Sequence, residues 1–325
     1  MAPARLAKLR STAALLAAVG ALTAGCSQTA TTTTKPAPVA AAAGDASAGP
    51  SATASPLPAP AVGAIPVVDS TVGKSLPIDA YLFTPEQFKQ LGAARDTLTA
   101  QCMQRFGLTY AAPTAPPPRQ GNQVTHRYDV VDPADGYRTA SSAPAPTPPA
   151  PQLTSEEIAV LAGDVPGNAK AITSFHGQSI PKGGCLGEAE AKLTAQGGSM
   201  TDSPVAVGIN YDDYQRSMTD DRLRAVFQQW SACMKAKGYS YATPNDATDD
   251  KQWKGTATPS PTEIATATAD AQCRQQTNVI GTWFTVESAY ENQAIQANLD
   301  QLTQVQQGIA AVVKNAATVD TGGRL

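Results

Sequence analysis

Apolar residues along this chain recur mostly at the three-and-four spacing of helical faces, in blocks separated by stretches with no such period. Thr84-Pro85-Glu86-Gln87 reads as a capping box with proline at the first helical position, and Phe88, Leu91, Leu98 and Cys102 carry an apolar face to a stop at Gly107. Thr154 with Glu157 opens a short second helix through Leu161. A third is predicted from about Gly187 to Gln196, and a fourth from Thr219 through Phe227, Trp230 and Cys233 to Gly238. Ser260-Pro261-Thr262-Glu263 is the strongest start signal, and a long helix should follow it.

Near the end, Ile295, Leu299, Leu302, Ile309, Val313 and Ala316 form an apolar seam whose neighbours Gln296, Asn298, Gln301, Gln304 and Gln307 are polar but uncharged. An isolated helix of this length is marginal in water, so the seam must be buried. Packing onto the helix from Pro85 to Phe106 is preferred over self-association, because single apolar stripes mostly face their own core. One period-two stretch (Val124, His126, Tyr128, Val130) predicts a short strand between Gln123 and Val131, ended by Asp132-Pro133.

The most specific internal signal is a repeat. CMQRFGLTYAAP from Cys102 and CMKAKGYSYATP from Cys233 share Cys, Met, Gly, Tyr, Ala and Pro at the same offsets. Each copy ends a helix at glycine and then turns at proline. Cys102, Cys185, Cys233 and Cys273 are an even set with no CxxC pair, which favours structural disulfides over zinc or redox chemistry. A two-unit reading joins Cys102 to Cys185 and Cys233 to Cys273, although four cysteines allow three pairings. The predicted fold is mainly α: two related disulfide-stapled helical units, about 81–197 and 211–317, on a disordered N-terminal tether, with a long C-terminal helix.

The blocks without period set the address. Arg5, Lys8 and Arg10 precede an uncharged stretch, Ser11 to Gly25, too short to span a membrane; this is the layout of a secretory signal at 1–25. Leu22-Thr23-Ala24-Gly25-Cys26 resembles a bacterial lipobox, although its leucine stands four before the cysteine instead of the commoner three. The resemblance implies diacylglyceryl attachment at Cys26, and two acyl chains suffice for stable anchoring. Residues 26–80 are read as a lipidated tether rich in Ala, Pro and Thr, the part from Ser27 to about Gly63 reaching roughly 110 Å as an extended Pro-rich chain or roughly 35 Å as a coil. Further Pro-rich loops follow Tyr110 and Ala140, and residues 318–325 read as a flexible tail.

PKGGCLGEA around Cys185, WSACMKAKGYSY around Cys233 and TEIATATADAQC before Cys273, with RYDVVDPADGY, resemble segments of uncharacterised actinobacterial secreted lipoproteins. That resemblance covers most of Tyr81 to about Leu299; it implies export and disulfides, and it brings no activity with it.

Charge removes one class of partner. Loss of Arg5, Lys8 and Arg10 from 24 Lys plus Arg leaves 21 against 27 Asp plus Glu, a net charge near −6 with no basic cluster, so nucleic acid is not an expected partner. The expected partners are the membrane, through the lipid, and a cell-envelope protein or peptidoglycan. No cofactor, metal or catalytic residue is predicted. His126, on the alternating stretch, reads as a packed histidine. His176, in a loop beside Ser174 and Ser179, lacks a G-x-S-x-G element and makes a hydrolase the weakest alternative. The pairs Asp212-Asp213, Asp220-Asp221 and Asp249-Asp250 are poor metal cages, because adjacent helical residues do not share a face. Tyr211, Tyr214, Trp230, Tyr239, Tyr241 and Trp253 could stack on wall sugars, although a small helical domain needs such rings for its core. The expectation is a non-enzymatic lipoprotein on the extracytoplasmic face of the membrane, with wall-glycan or small-ligand binding as the alternative.

Overall fold

The computed structural model describes residues 58–112, 127–130, 132–137, 153–163, 172–254 and 258–323. The signal at 1–25, Cys26, the tether up to residue 57, His126 and most of both Pro-rich loops lie outside the described residues. All described residues belong to one compact unit.

The fold is mainly helical. In chain order the helices are α1 (Pro85–Arg105), α2 (Ser155–Ala162), α3 (Gly184–Leu193), α4 (Pro204–Met218), α5 (Asp221–Ala236), α6 (Pro244–Thr248), α7 (Pro261–Gln276), α8 (Val279–Ala297) and α9 (Leu299–Asp320). A two-stranded hairpin, β1 (Ser174–Phe175) and β2 (Gln178–Ser179), precedes α3. Capping explains the starts: Thr84 accepts from the Gln87 N–H while Gln87 Oε1 accepts from the Thr84 N–H, and Thr154 and Glu157 repeat that exchange. Ser260 caps α7 by accepting from the Glu263 N–H. Among the described residues no helix is long and apolar enough to cross a membrane.

The core has three parts. Leu91, Ala94 and Leu98 of α1 meet Ala189 and Leu193 of α3 and Val312, Ala316 and Val319 of α9. The C-terminal helix therefore packs on the first, and Asn315 donates its side-chain amide to the Leu193 carbonyl across the same contact. Beside it, Met103, Phe106, Val160 and Phe175 surround the Cys102–Cys185 bridge. The largest part lies among α4, α5, α7 and α8, where Trp230 and Trp283 are fully buried with Tyr128, Leu223, Met234 and Val279. Its bridge joins Cys233 to Cys273, so the pairing is the one the two-unit reading prefers, with Cα separations of 5.5 Å and 5.7 Å in the usual range.

Both cysteine elements close in the same way. Leu108 N–H donates to Met103 O at 3.1 Å and Tyr239 N–H to Met234 O at 3.0 Å, around Gly107 (φ 73°) and Gly238 (φ 92°). A left-handed residue is what such a helix stop needs, and glycine supplies it without steric cost.

Several expectations are corrected. Residues 58–80 are not tether: they run along the domain as an extended strap ending in a 3-10 turn at Pro77–Tyr81, with Thr71, Leu76 and Ile78 buried. Composition hid this, because the strap is held chiefly by its backbone. Val68 N–H donates to Asn278 Oδ1, Asn278 Nδ2 donates to Pro66 O, and Asp129 accepts from Ser70 Oγ and Thr71 N–H.

The predicted strand at Gln123–Val131 is not seen in its described part, where Arg127 and Tyr128 are helical. A strand would aim consecutive side chains to opposite faces, whereas Glu287 recruits both: Arg127 pairs with Oε1 and Tyr128 donates its hydroxyl to Oε2. The helix that follows Ser260 ends at Gln276, where Asn278 (φ 53°) supplies the left-handed turn that starts α8, and a further break at Asn298 (φ −123°) splits the predicted seam, leaving Ile295 on α8 and Leu299 onward on α9. Helix α5 starts at Asp221 under an Asp220 cap, because Thr219 terminates α4, a helix the apolar pattern did not announce. The segment 318–325 is not wholly a tail, as α9 continues to Asp320 with Val319 buried.

Candidate functional site

A groove of about 330 Å³ opens to solvent between the 197–203 loop and the first half of α9. Its position follows from two glycines. A Cβ on Gly198 would lie 2.4 Å from Gly308 O, and one on Gly308 would lie 2.8 Å from Gly198 Cα, so only glycine at both lets the loop lie directly on the helix. Within the loop Thr201 N–H donates to Ser199 Oγ at 3.1 Å. Asp202 Oδ1 accepts from the Phe83 N–H at 2.8 Å and ties the loop to the entry of α1. Burial pushes the Asp202 carboxyl above the usual carboxylate range, against the pull of that hydrogen bond.

Phe83 is buried under the groove, Val305 and Ile309 are half-buried on the helix side, and Gln301 and Gln304 stand exposed at the edge. Ser203, the N-cap of α4, makes no side-chain capping bond, which leaves its hydroxyl toward the groove without that duty. The lining is therefore amide and hydroxyl over an apolar floor, with one carboxylate. Gln301 and Gln304 were legible only as unusually uncharged neighbours of the seam; nothing in the sequence brings the 197–203 loop to them.

A second, smaller cavity of about 150 Å³ lies between the strap and α7, lined by Ser70, Asp129, Arg274 and Gln275 among others. Asp129 Oδ2 is fully used by Ser70 and Thr71, and its Oδ1 is buried without a protein partner.

The sequence-predicted candidates are scattered and mostly structural. His176 is exposed at the hairpin turn with φ 46°, stacked on Phe175 at 4.1 Å, and among the described residues neither a serine nor a carboxylate hydrogen-bonds it. Trp230 is buried with Nε1 donating to Asp270, and Trp253 donates to the Ala247 carbonyl, so these rings build the core and do not line a cleft. Tyr211 alone of the aromatic set is widely exposed, at 63%. Asp213 pairs with Arg216, Asp220 with Arg222, and Asp250 caps the 3-10 turn at Lys251–Trp253. Arg222 holds Asp220 below the usual carboxylate range. Among the described residues no group of three or more His, Cys, Asp or Glu is placed to hold a metal ion.

A denser polar network was missed altogether. Arg274 makes two bonds to Asp270 (2.7 Å and 2.9 Å) and one to Tyr128 O (2.6 Å), all buried. Next to it, Glu287 takes Arg127 and Tyr128, and Glu291 accepts from the Ile78 N–H while its other oxygen is buried without a partner. Burial raises Glu291 to about 8, with Glu287 adding to the rise. These groups are sealed in the core, and their work is to pin the 127–137 segment and the strap to α7 and α8.

Fold and site together define a disulfide-stapled helical domain with a preformed polar groove that holds a single carboxylate. No protein-family model, curated protein or solved structure matches the chain.

Proposed function

We propose that this chain is an extracytoplasmic lipoprotein, held on the outer face of the membrane through a lipid on Cys26, and that its helical domain serves there as a non-enzymatic interaction or accessory module. The observation that carries the reading is the pair of bridges, Cys102–Cys185 and Cys233–Cys273. Structural disulfides persist in oxidising compartments, and the signal-like N-terminus with the lipobox-like Leu22-Thr23-Ala24-Gly25-Cys26 offers a route to one. The test is cell fractionation of Cys26→Ala. The variant is expected to leave the membrane fraction, and continued sedimentation with membranes would refute the lipid anchor.

A second reading, a wall-glycan or small-ligand binding lipoprotein, is favoured by the groove on α9, whose lining is suited to a neutral hydrogen-bonding ligand. Titration of the intact protein with soluble wall fragments tests it. No observation favours the hydrolase reading at His176.

A further inference from the structure

We infer that the groove between the 197–203 loop and α9 binds a neutral saccharide, with Gln301, Gln304 and Asp202 contacting its hydroxyls. This rests on the second reading above and gives it a site and a ligand class. Charge narrows the field first. No lysine or arginine lines the groove, and its one carboxylate repels phosphate, sulfate and carboxylate ligands. A cationic ligand is poorly served, because that single carboxylate already has Oδ1 engaged by the Phe83 N–H.

An apolar ligand fits no better. It would strip water from two amides and the Ser203 hydroxyl and return no hydrogen bonds, while the Ser199 and Thr201 hydroxyls keep only the bond they share. What suits the lining is a neutral molecule with donors and acceptors side by side. Neighbouring sugar hydroxyls supply this, and each glutamine amide answers with a donor and an acceptor in one plane. Val305, Ile309 and Pro204 give the C–H face of a ring an apolar surface to rest on. The volume lies at the lower end for ligand pockets, room for roughly one or two sugar rings. The Gly198–Gly308 contact fixes the loop beforehand, which lowers the ordering cost of binding.

The experiment is isothermal titration of the intact, detergent-solubilised chain with a β-1,4-linked N-acetylglucosamine tetramer, maltotetraose and cellotetraose. Inorganic phosphate and a neutral acetylated, amidated tripeptide run beside them. At least one saccharide is expected to bind. Gln301→Ala and Gln304→Ala should each weaken it about 5-fold, the worth of roughly one hydrogen bond. Gln304→Trp, which fills the groove from an exposed position, should abolish it while leaving the thermal melt unchanged. Saccharide binding that survives Gln304→Trp would overturn the groove and leave the second reading standing. Binding of no saccharide would overturn this proposal and the wall-glycan form of the second reading, and binding of phosphate or the tripeptide in their place would overturn the ligand class while leaving small-ligand binding standing.

Discussion

Cys102 and Cys233 end their helices with one geometry, down to the buried methionine that follows each, and the tyrosine further on finds an aspartate in both at 3.0 Å, Tyr110 reaching back to Asp96 of its own helix and Tyr241 forward to Asp250. Their surroundings share little. The first bridge is set among apolar groups, with Phe106 edge-on to Phe175 and Val160 beside them. The second bridge starts one turn beyond Trp230 and ends beside Arg274, in a core where Asp270 and Arg274 are almost wholly buried. A twelve-residue sequence can thus fix how a helix stops without fixing what covers it. The stop depends on one glycine and two backbone bonds; the cover depends on segments far away in the chain.

The sharpest way to break the likeness is to delete Leu299 onward. Helix α9 packs on α1 and α3, so most of the loss falls on the first element, where Val312 and Val319 alone bury about 2 kcal/mol each, while Leu302 is the part taken from the larger core. The truncated chain should lose protection from hydrogen exchange in α1 while α5 and α7 keep theirs. An unchanged α1 with a halved particle mass would instead make α9 an association arm.

Arg274→Ala probes the second element. It leaves Asp270 buried without its cation, still accepting from Trp230, and breaking a buried pair from one side costs about 3–5 kcal/mol. Urea titration should show that loss, whereas the ion pair beside the first bridge, Arg105 with Glu188, has its arginine exposed and should cost far less to break. Removing each bridge by paired Cys→Ala substitution should cost about 2–4 kcal/mol, the 83-residue closure slightly more than the 40-residue one. Equal or reversed losses would mean that local packing, not loop length, sets the difference.

Titration separates the two regions again. Glu291 binds its proton more tightly folded, at about 8, than an unfolded glutamate does near 4.3. Its contribution is therefore fully present below the unfolded value and declines as pH rises from about 4.5 to about 8. Glu291→Gln should flatten that part of the stability curve and make the protein more stable at pH 8, as read by urea midpoints. The smallest effects come from the equivalent tyrosines: Tyr110→Phe and Tyr241→Phe should each cost about 1 kcal/mol. A marked inequality would show that the two stops differ in energy although not in shape.

What could be read from the sequence follows the same division. The helix starts at Thr84, Thr154 and Ser260 were legible because a cap is written within four residues, and so was the burial of α9 against α1, because a seam must find a cover. The strap was not, since Pro58, Pro60 and Pro66 are held by carbonyls that any sequence possesses. Helix α4 escaped because its buried residues include Asp213 and Ser217, which carry no apolar signature. The groove was invisible for a related reason: Gly198 and Gly308 matter only to each other, across more than a hundred residues of chain.

The strap also decides how the domain meets mechanical load. Any pull entering through residue 57 reaches Pro58 on Gln293 first, then Pro60 on Arg222, then Pro66 and Val68 on Asn278, and only then the two bonds to Asp129. These contacts are arranged in series along an extended chain, so they yield one after another and each release adds slack before the next is stressed. Tension is spent peeling the strap from its near end, and the 3-10 turn at Pro77–Tyr81, where Ile78 is held by Glu291, is loaded only after Asp129 has let go.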